Sequence, residues 1–185
     1  MKQMITINRQ DENWHLTQRN NQIVKLQDYE YRNASFVGYS RCVNSVLKNG
    51  QNNFPEKYAG QAWYNSILGA CGEAAVAKYL NVYWGAGVDT FKQSDLLGYQ
   101  CEIRTTHADK PCPKIRPTDT GIVIAVIASP NYKTTFKIWG WLDVLEKQED
   151  WYYADQNSPK PKPCWFPPLE AWHEMKSIPK ESKND

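Results

Sequence analysis

The order of patterns along the chain predicts an α/β domain in which a mixed central β-sheet is flanked by helices. Three observations carry this reading. Two long segments with helical spacing occupy the first half of the chain. The period then turns from helical to extended beyond Gly87, and the extended part contains the apolar run Gly121–Ala128. The end of the chain is rich in proline and tryptophan, which favours an extended path over the surface.

Taken in order, residues 1–27 form a polar N-terminal extension whose pieces MITIN and QIVKL alternate well enough for a marginal hairpin. From Asp28 to Leu47, Tyr29, Phe36, Tyr39, Val43, Val46 and Leu47 recur at helical steps, with Gly50 as a stop and Arg32 and Arg41 on the same segment. Residues 61–80 place Trp63, Ile67, Ala70, Ala74, Ala77 and Leu80 on one helical face. Within them, Gly69-Ala70-Cys71-Gly72 is thin enough to admit another backbone. The Gly85-Ala86-Gly87 turn leads to two short extended pieces, Asp95–Leu97 and Gly98–Thr105, read as antiparallel strands turning near Gly98.

A polar, proline-bearing loop precedes the buried strand 121–128, and Thr134–Trp141 reads as a further strand. There Trp139 and Trp141, two apart, are expected on one side of the sheet, packed into the core. A short helix over 143–148 follows. The whole reads as a single domain, residues 1–185, with its core over 28–154 and a proline-rich wrapping tail over 155–185.

Composition narrows the function classes. With 22 Lys and Arg against 20 Asp and Glu, the formal charge is +2, which excludes strongly basic and strongly acidic polymers as models. Any nucleic-acid affinity therefore needs a local basic surface. No apolar run approaches the roughly 18–20 residues of a membrane span, and the first residues lack a signal-peptide core, so a cytoplasmic protein without a membrane partner is expected. The 5 cysteines lack paired spacing and read as free thiols. Cys101, His107 and Cys112 are close in sequence, but no compact fourth ligand completes a zinc site.

Three acids stand where a metal site can be built: Glu73 on the second helix, Asp95 before the turn at Gly98, and Glu102 beyond it. Residues two apart on a strand share a face, so Glu102 and Arg104 project together. Two carboxylates and a main-chain carbonyl suit Mg²⁺ or Mn²⁺, and such an ion can activate water beside a phosphate. An acid and a base two apart on a strand are also commonly just a solvated face.

The run GACGEAAVAKYL, the spacing of Asp95, Glu102 and Arg104, the strand GIVIAVIA and the phrase FKIWGWLDV resemble the PD-(D/E)XK nuclease superfamily. The likeness is greatest to the small proteins of that fold often encoded by phages, and covers roughly residues 35–170. It implies a restriction-endonuclease-like core and Mg²⁺-dependent hydrolysis of DNA that leaves a 5′-phosphate. It further implies Glu73, Asp95, Glu102 and the backbone carbonyl of Ile103 as metal ligands, with Arg104 beside them as a catalytic cation, and a host cytoplasm for a phage-encoded chain.

Two positions depart from the family. Ser94 stands where a proline precedes the aspartate, and Arg104 stands where the family has lysine. Arginine stays charged and cannot act as general base. Water activation then falls to the metal, the substrate phosphate or His107. Arg41, His107, Lys110, Lys114 and Arg116, with Arg32 and Lys48, are the residues expected to track a nucleic-acid backbone, DNA rather than RNA. The rival reading is a nuclease-like fold that no longer cuts and instead binds nucleic acid or a host protein.

Overall fold

Alanine, glycine and cysteine fill much of the segment Ala59–Leu80, and a helix with so thin a coat can be packed closely from two sides. In the computed structural model, which describes residues 22–49, 59–88, 95–96, 98–107, 113–131, 133–153 and 163–179, this segment is helix α2. One side meets helix α1 (Asp28–Asn49). There a Cβ on Gly38 would lie only 2.5 Å from the Ile67 Cα, so the two backbones nearly touch. The other side meets the sheet, where a Cβ on Gly72 would collide with the Thr105 side chain. Ala70, Cys71, Ala74, Ala75, Val76 and Ala77 are buried almost all round the helix, as this double contact requires.

The largest residues of the apolar recurrence read on α1 are mostly exposed. Tyr29, Phe36, Tyr39 and Leu47 are exposed, whereas Ala34, Val37 and Cys42 are buried. The spacing is helical as expected; small side chains line the closest approach at Gly38, while Tyr31 packs against the margin of the core and Tyr39 against Trp63 of α2.

The sheet has four strands in the order β1-β4-β3-β2. Strand β1 (Gln22–Lys25) pairs antiparallel with β4 (Thr135–Asp143), β4 antiparallel with β3 (Ile122–Ala128), and β3 parallel with β2 (Cys101–His107). The domain is thus mixed α/β. QIVK, grouped with the N-terminal extension on sequence, belongs to the central sheet, while MITIN lies outside the described residues. Every residue of β3 is buried, since both faces of the sheet are covered. Ile122, Ile124 and Val126 pack with α2, whereas Val123 and Ala125 pack on the opposite face with Ile115, Leu142, Val144 and Trp172.

The expected hairpin before β3 is not formed. Asp95 and Leu96 lie in a bend, and Gly98 turns the chain with φ at 82°. Asp95 meets the outer edge of β2 through one main-chain bond, its N–H to the Cys101 carbonyl at 3.2 Å, instead of a strand ladder. The turn does bring Asp95 to β2, as anticipated. The expected short helix over 143–148 is a single 3-10 turn, Val144–Glu146, capped by the Asp143 carboxylate on the Leu145 N–H.

Trp139 and Trp141 do not share a side. The β3–β4 register pairs Val126 with Ile138 but Ala125 with Gly140, so Trp139 is an inserted residue. One extra residue reverses the alternation beyond it. Trp139 packs with the Val123 face and Trp141 with the α2 face.

The tail runs over the face that α2 leaves open. Strand β5 (Tyr152–Tyr153) pairs with β6 (Cys164–Trp165), Trp165 bridges to Ile115, and Trp172 is 2% exposed. His173 then pairs with Trp141 across Gly140, where a Cβ would lie 2.3 Å from the His173 carbonyl. No described helix is long and apolar enough to cross a membrane. Cys42, Cys71, Cys101 and Cys164 are buried free thiols, and burial pushes Cys71 up to about 11 and Cys101 to about 12.

Two glycines of the helix pair are expected to behave oppositely. Gly38→Ala forces α1 off α2 and should cost about 1–3 kcal/mol. Gly69→Ala, with nothing within 4 Å of the new methyl, should instead stabilise by about 0.5–1 kcal/mol. Urea denaturation of both variants checks the contrast.

Candidate active site

Close packing of α2 against its neighbours fixes where Glu73 can go. It follows Gly72 on the helix, is buried with 7% of its side chain exposed, and points toward α1. There Arg41 grips it with both terminal nitrogens, Nη1 to Oε1 at 2.5 Å and Nη2 to Oε2 at 2.8 Å. The Nε of Arg41 donates to the Gly87 carbonyl at 2.8 Å, and the Trp84 indole donates to Glu73 Oε2 at 3.2 Å. The Gly85-Ala86-Gly87 turn, with Ala86 at a φ of 48°, thereby holds the guanidinium in place.

Asp95 stands at the outer edge of β2. Its Oδ2 accepts the Ile103 N–H at 2.7 Å. Since N–H and C=O of a strand residue lie on the same edge, the Ile103 carbonyl also faces outward, beside Asp95. The Asp95 carboxyl is pushed up to about 7, first by burial, then by the nearby charge of Glu73 and, more weakly, that of Glu102. The Ile103 N–H and Arg41 act in the opposite sense.

Glu102 and Arg104 share a face, as alternation predicts, and pair at 3.1 Å. That face is the one away from α2, because Cys101 and Ile103 fill the α2 side. Arg104 also reaches Asp119 at 2.5 Å, and Asp119 accepts the Arg116 N–H at 2.8 Å. With 3% of its side chain exposed, Asp119 is buried only because this arginine neutralises it.

The three acids therefore do not converge from one side. Glu73 stands on the α2 side, Glu102 leaves β2 on the opposite side, and Asp95 sits at the sheet edge where it feels both. Among the described residues, no group of three or more His, Cys, Asp or Glu is disposed to hold a metal ion. Two carboxylates and a carbonyl remain as a possible donor set: Asp95, Glu102 and Ile103.

The expected phosphate-tracking residues are also divided. Arg41 is committed to Glu73, while Arg116 belongs to the Asp119 loop beyond the other face of the sheet. His107, at the far end of β2, stacks on Tyr64 with ring centroids 5.0 Å apart. Lys114 is half-buried beside Ile115; Lys110, Asp109 and Cys112 lie outside the described residues. Lys78, the other ammonium on α2, pairs with Glu30 at 2.6 Å, away from the acids.

Asp119 and Gly87 carry no signal in the sequence, because their roles arise from chain segments far apart. Trp84 had one: an indole next to a Gly-Ala-Gly turn and a short step after a buried acid. Comparison with protein-family models, curated proteins and solved structures finds no match to this chain.

The raised carboxyl sets a pH dependence. A folded Asp95 near 7 holds its proton more tightly than an unfolded one near 3.8, so folding stability falls as pH rises between these values. Asp95→Asn removes the penalised charge and keeps an oxygen for the Ile103 N–H. It should be more stable than the wild type at pH 8, by on the order of 2–4 kcal/mol, with a smaller gap at pH 5. Denaturant melts at the two pH values measure this; a gap that does not change contradicts it.

Proposed function

We propose that the protein is a Mg²⁺- or Mn²⁺-dependent phosphodiesterase acting on DNA, with a core of the restriction-endonuclease-like, PD-(D/E)XK type. The observation that carries this reading is Asp95: a half-buried carboxylate at the sheet edge that feels the charges of Glu73 and Glu102 and is pushed up to about 7. Such crowding favours a cation, and perturbed carboxylates of this kind gather at functional sites.

The donor set fits a metal in part. Asp95, Glu102 and the Ile103 carbonyl supply oxygen ligands, and Mg²⁺ takes only one or two carboxylates, completing its shell with water and substrate phosphate. Glu73, engaged by Arg41 through both oxygens, supports the cluster from the α2 side. A bound cation would supply charge neutralisation and a water of lowered pKa.

The chain's own residues do the rest. Asp119 anchors Arg104, and Arg104 orients Glu102. Being permanently charged, Arg104 stabilises the anionic phosphoryl group and takes no proton. His107 stands five residues along the strand, roughly 16 Å from Glu102, and is turned to the α2 side, which leaves it out of the chemistry.

A second reading has its own observation. Arg41 places a guanidinium against Glu73, and Arg104 shares another between Glu102 and Asp119, so two of the three acids are already paired with an arginine without metal. A fold with its acids so engaged suits a non-cutting protein that binds nucleic acid or a host protein.

Purified protein is expected to cleave DNA with Mg²⁺ or Mn²⁺, EDTA to abolish cleavage, and Asp95→Asn and Glu102→Gln each to lower it at least about 100-fold. Cleavage undiminished by EDTA or by both substitutions overturns the proposal. DNA binding that weakens steeply with salt but never leads to cleavage favours the second reading with nucleic acid as partner.

A further inference from the structure

Helix α1 presents a seam to solvent that neither α2 nor the sheet uses. Tyr29, Asn33, Phe36, Ser40, Val43 and Leu47 follow one another at alternating steps of four and three, so they form a single line along the helix. Tyr29 is 65% exposed, Phe36 70% and Leu47 76%. None of the six is charged, whereas the solvent face of a helix ordinarily is. The hydroxyl in the middle of the line is already satisfied within the helix, since Ser40 Oγ donates to the Phe36 carbonyl at 2.9 Å. It needs no water, so burying it costs little. Tyr39, leaning on Trp63 with ring centroids 5.0 Å apart, stands at one margin of the line.

We propose that this seam is a self-association face, on which α1 of a second copy of the chain lies parallel and in register. The proposal is independent of the phosphodiesterase reading. Size is the first argument for a second copy. The three large side chains and the shorter ones between them offer on the order of 500 Å², so a pair buries about 1,000 Å², enough for a specific interface. Steps of four and three are also the spacing at which two helices interlock along their length.

Composition is the second argument. About a two-fold axis running along the helices, each seam residue meets the same residue of the partner. Aromatic then meets aromatic, Leu47 meets leucine, and the Asn33 amide meets an amide that can both donate and accept. Antiparallel pairing over the same stretch would set Asn33 against a valine and strand its amide. Asn33 thereby fixes direction and register at some loss of affinity. A foreign helix would need an equally uncharged seam with a polar residue at the same height; the chain itself supplies one.

Light scattering on the full chain over a concentration series is expected to approach twice the 21.4 kDa of one chain, and to fall on dilution. Phe36→Glu sets two carboxylates face to face and should weaken the dimer at least about 100-fold. Since Phe36 is exposed, the thermal midpoint of dilute protein should hardly move. Leu145→Glu, at an 85% exposed site on the 3-10 turn after β4, should leave the dimer intact. Asn33→Cys under mild oxidation should cross-link the two copies, and adding Phe36→Glu should prevent it; the described thiols of the wild type are buried and do not compete.

Should Phe36→Glu fail to fold, the wild-type mass and the Asn33→Cys cross-link still decide. A chain that stays monomeric at every concentration overturns the inference, and so does a dimer that Phe36→Glu leaves intact. A dimer that Phe36→Glu breaks but Asn33→Cys cannot cross-link overturns the parallel register.

Discussion

Close approach to the main chain of α2 from both sides, by the α1 backbone at Gly38 and by the Thr105 side chain at Gly72, is the constraint from which the other features follow. Gly38 lets α1 meet the main chain at Ser66 and Ile67, and Gly72 lets the helix settle on Thr105 of β2. These contacts fix the height of α2 above the sheet and its rotation. Glu73 is the residue next to Gly72, so its direction is settled by the same contact. Arg41 is three residues after Gly38 on α1, almost one turn on, and is brought within reach of Glu73 by the same close approach. The ion pair is a consequence of small side chains, not their cause.

Around this frame the protein manages buried charge in two ways. Glu73 and Asp119 are each matched by an arginine within hydrogen-bonding distance. Breaking one such buried pair by removing a partner typically costs about 3–5 kcal/mol, because the other charge is stranded. Asp95 is treated differently: one main-chain N–H supports it, and like charges surround it. That imbalance distinguishes it from the two structural pairs.

How far the sequence could be read follows from the range of the interactions involved. The two helices and the apolar run of β3 are short-range patterns, and both were legible. So was the shared face of Glu102 and Arg104, which needs only strand alternation. What failed depended on partners distant in the chain. The large apolar residues of α1 kept helical spacing, yet only the location of α2 decides which face is inside. The opposite directions of Trp139 and Trp141 turn on one inserted residue, visible only in the register with β3. The site divides likewise: its acids could be named, but their distribution over two faces and an edge could not. Asp119 and Gly87 became relevant through folding alone.

The crossing of the tail at Gly140 bears on solubility. Among the described residues, strand β1 covers β4 as far as Ile138, and beyond that point β4 has main-chain groups that β1 does not pair. His173 occupies that place, exchanging two main-chain bonds with Trp141 at 2.8 and 3.0 Å. Its ring packs on Trp141 with centroids 4.6 Å apart, and its Nε2 lies 2.8 Å from Glu146. An open strand flanked by tryptophans would be a template for pairing with other chains. The missing side chain at Gly140 makes room for the segment that closes it, so a single glycine in the sheet guards the protein against self-association through that edge.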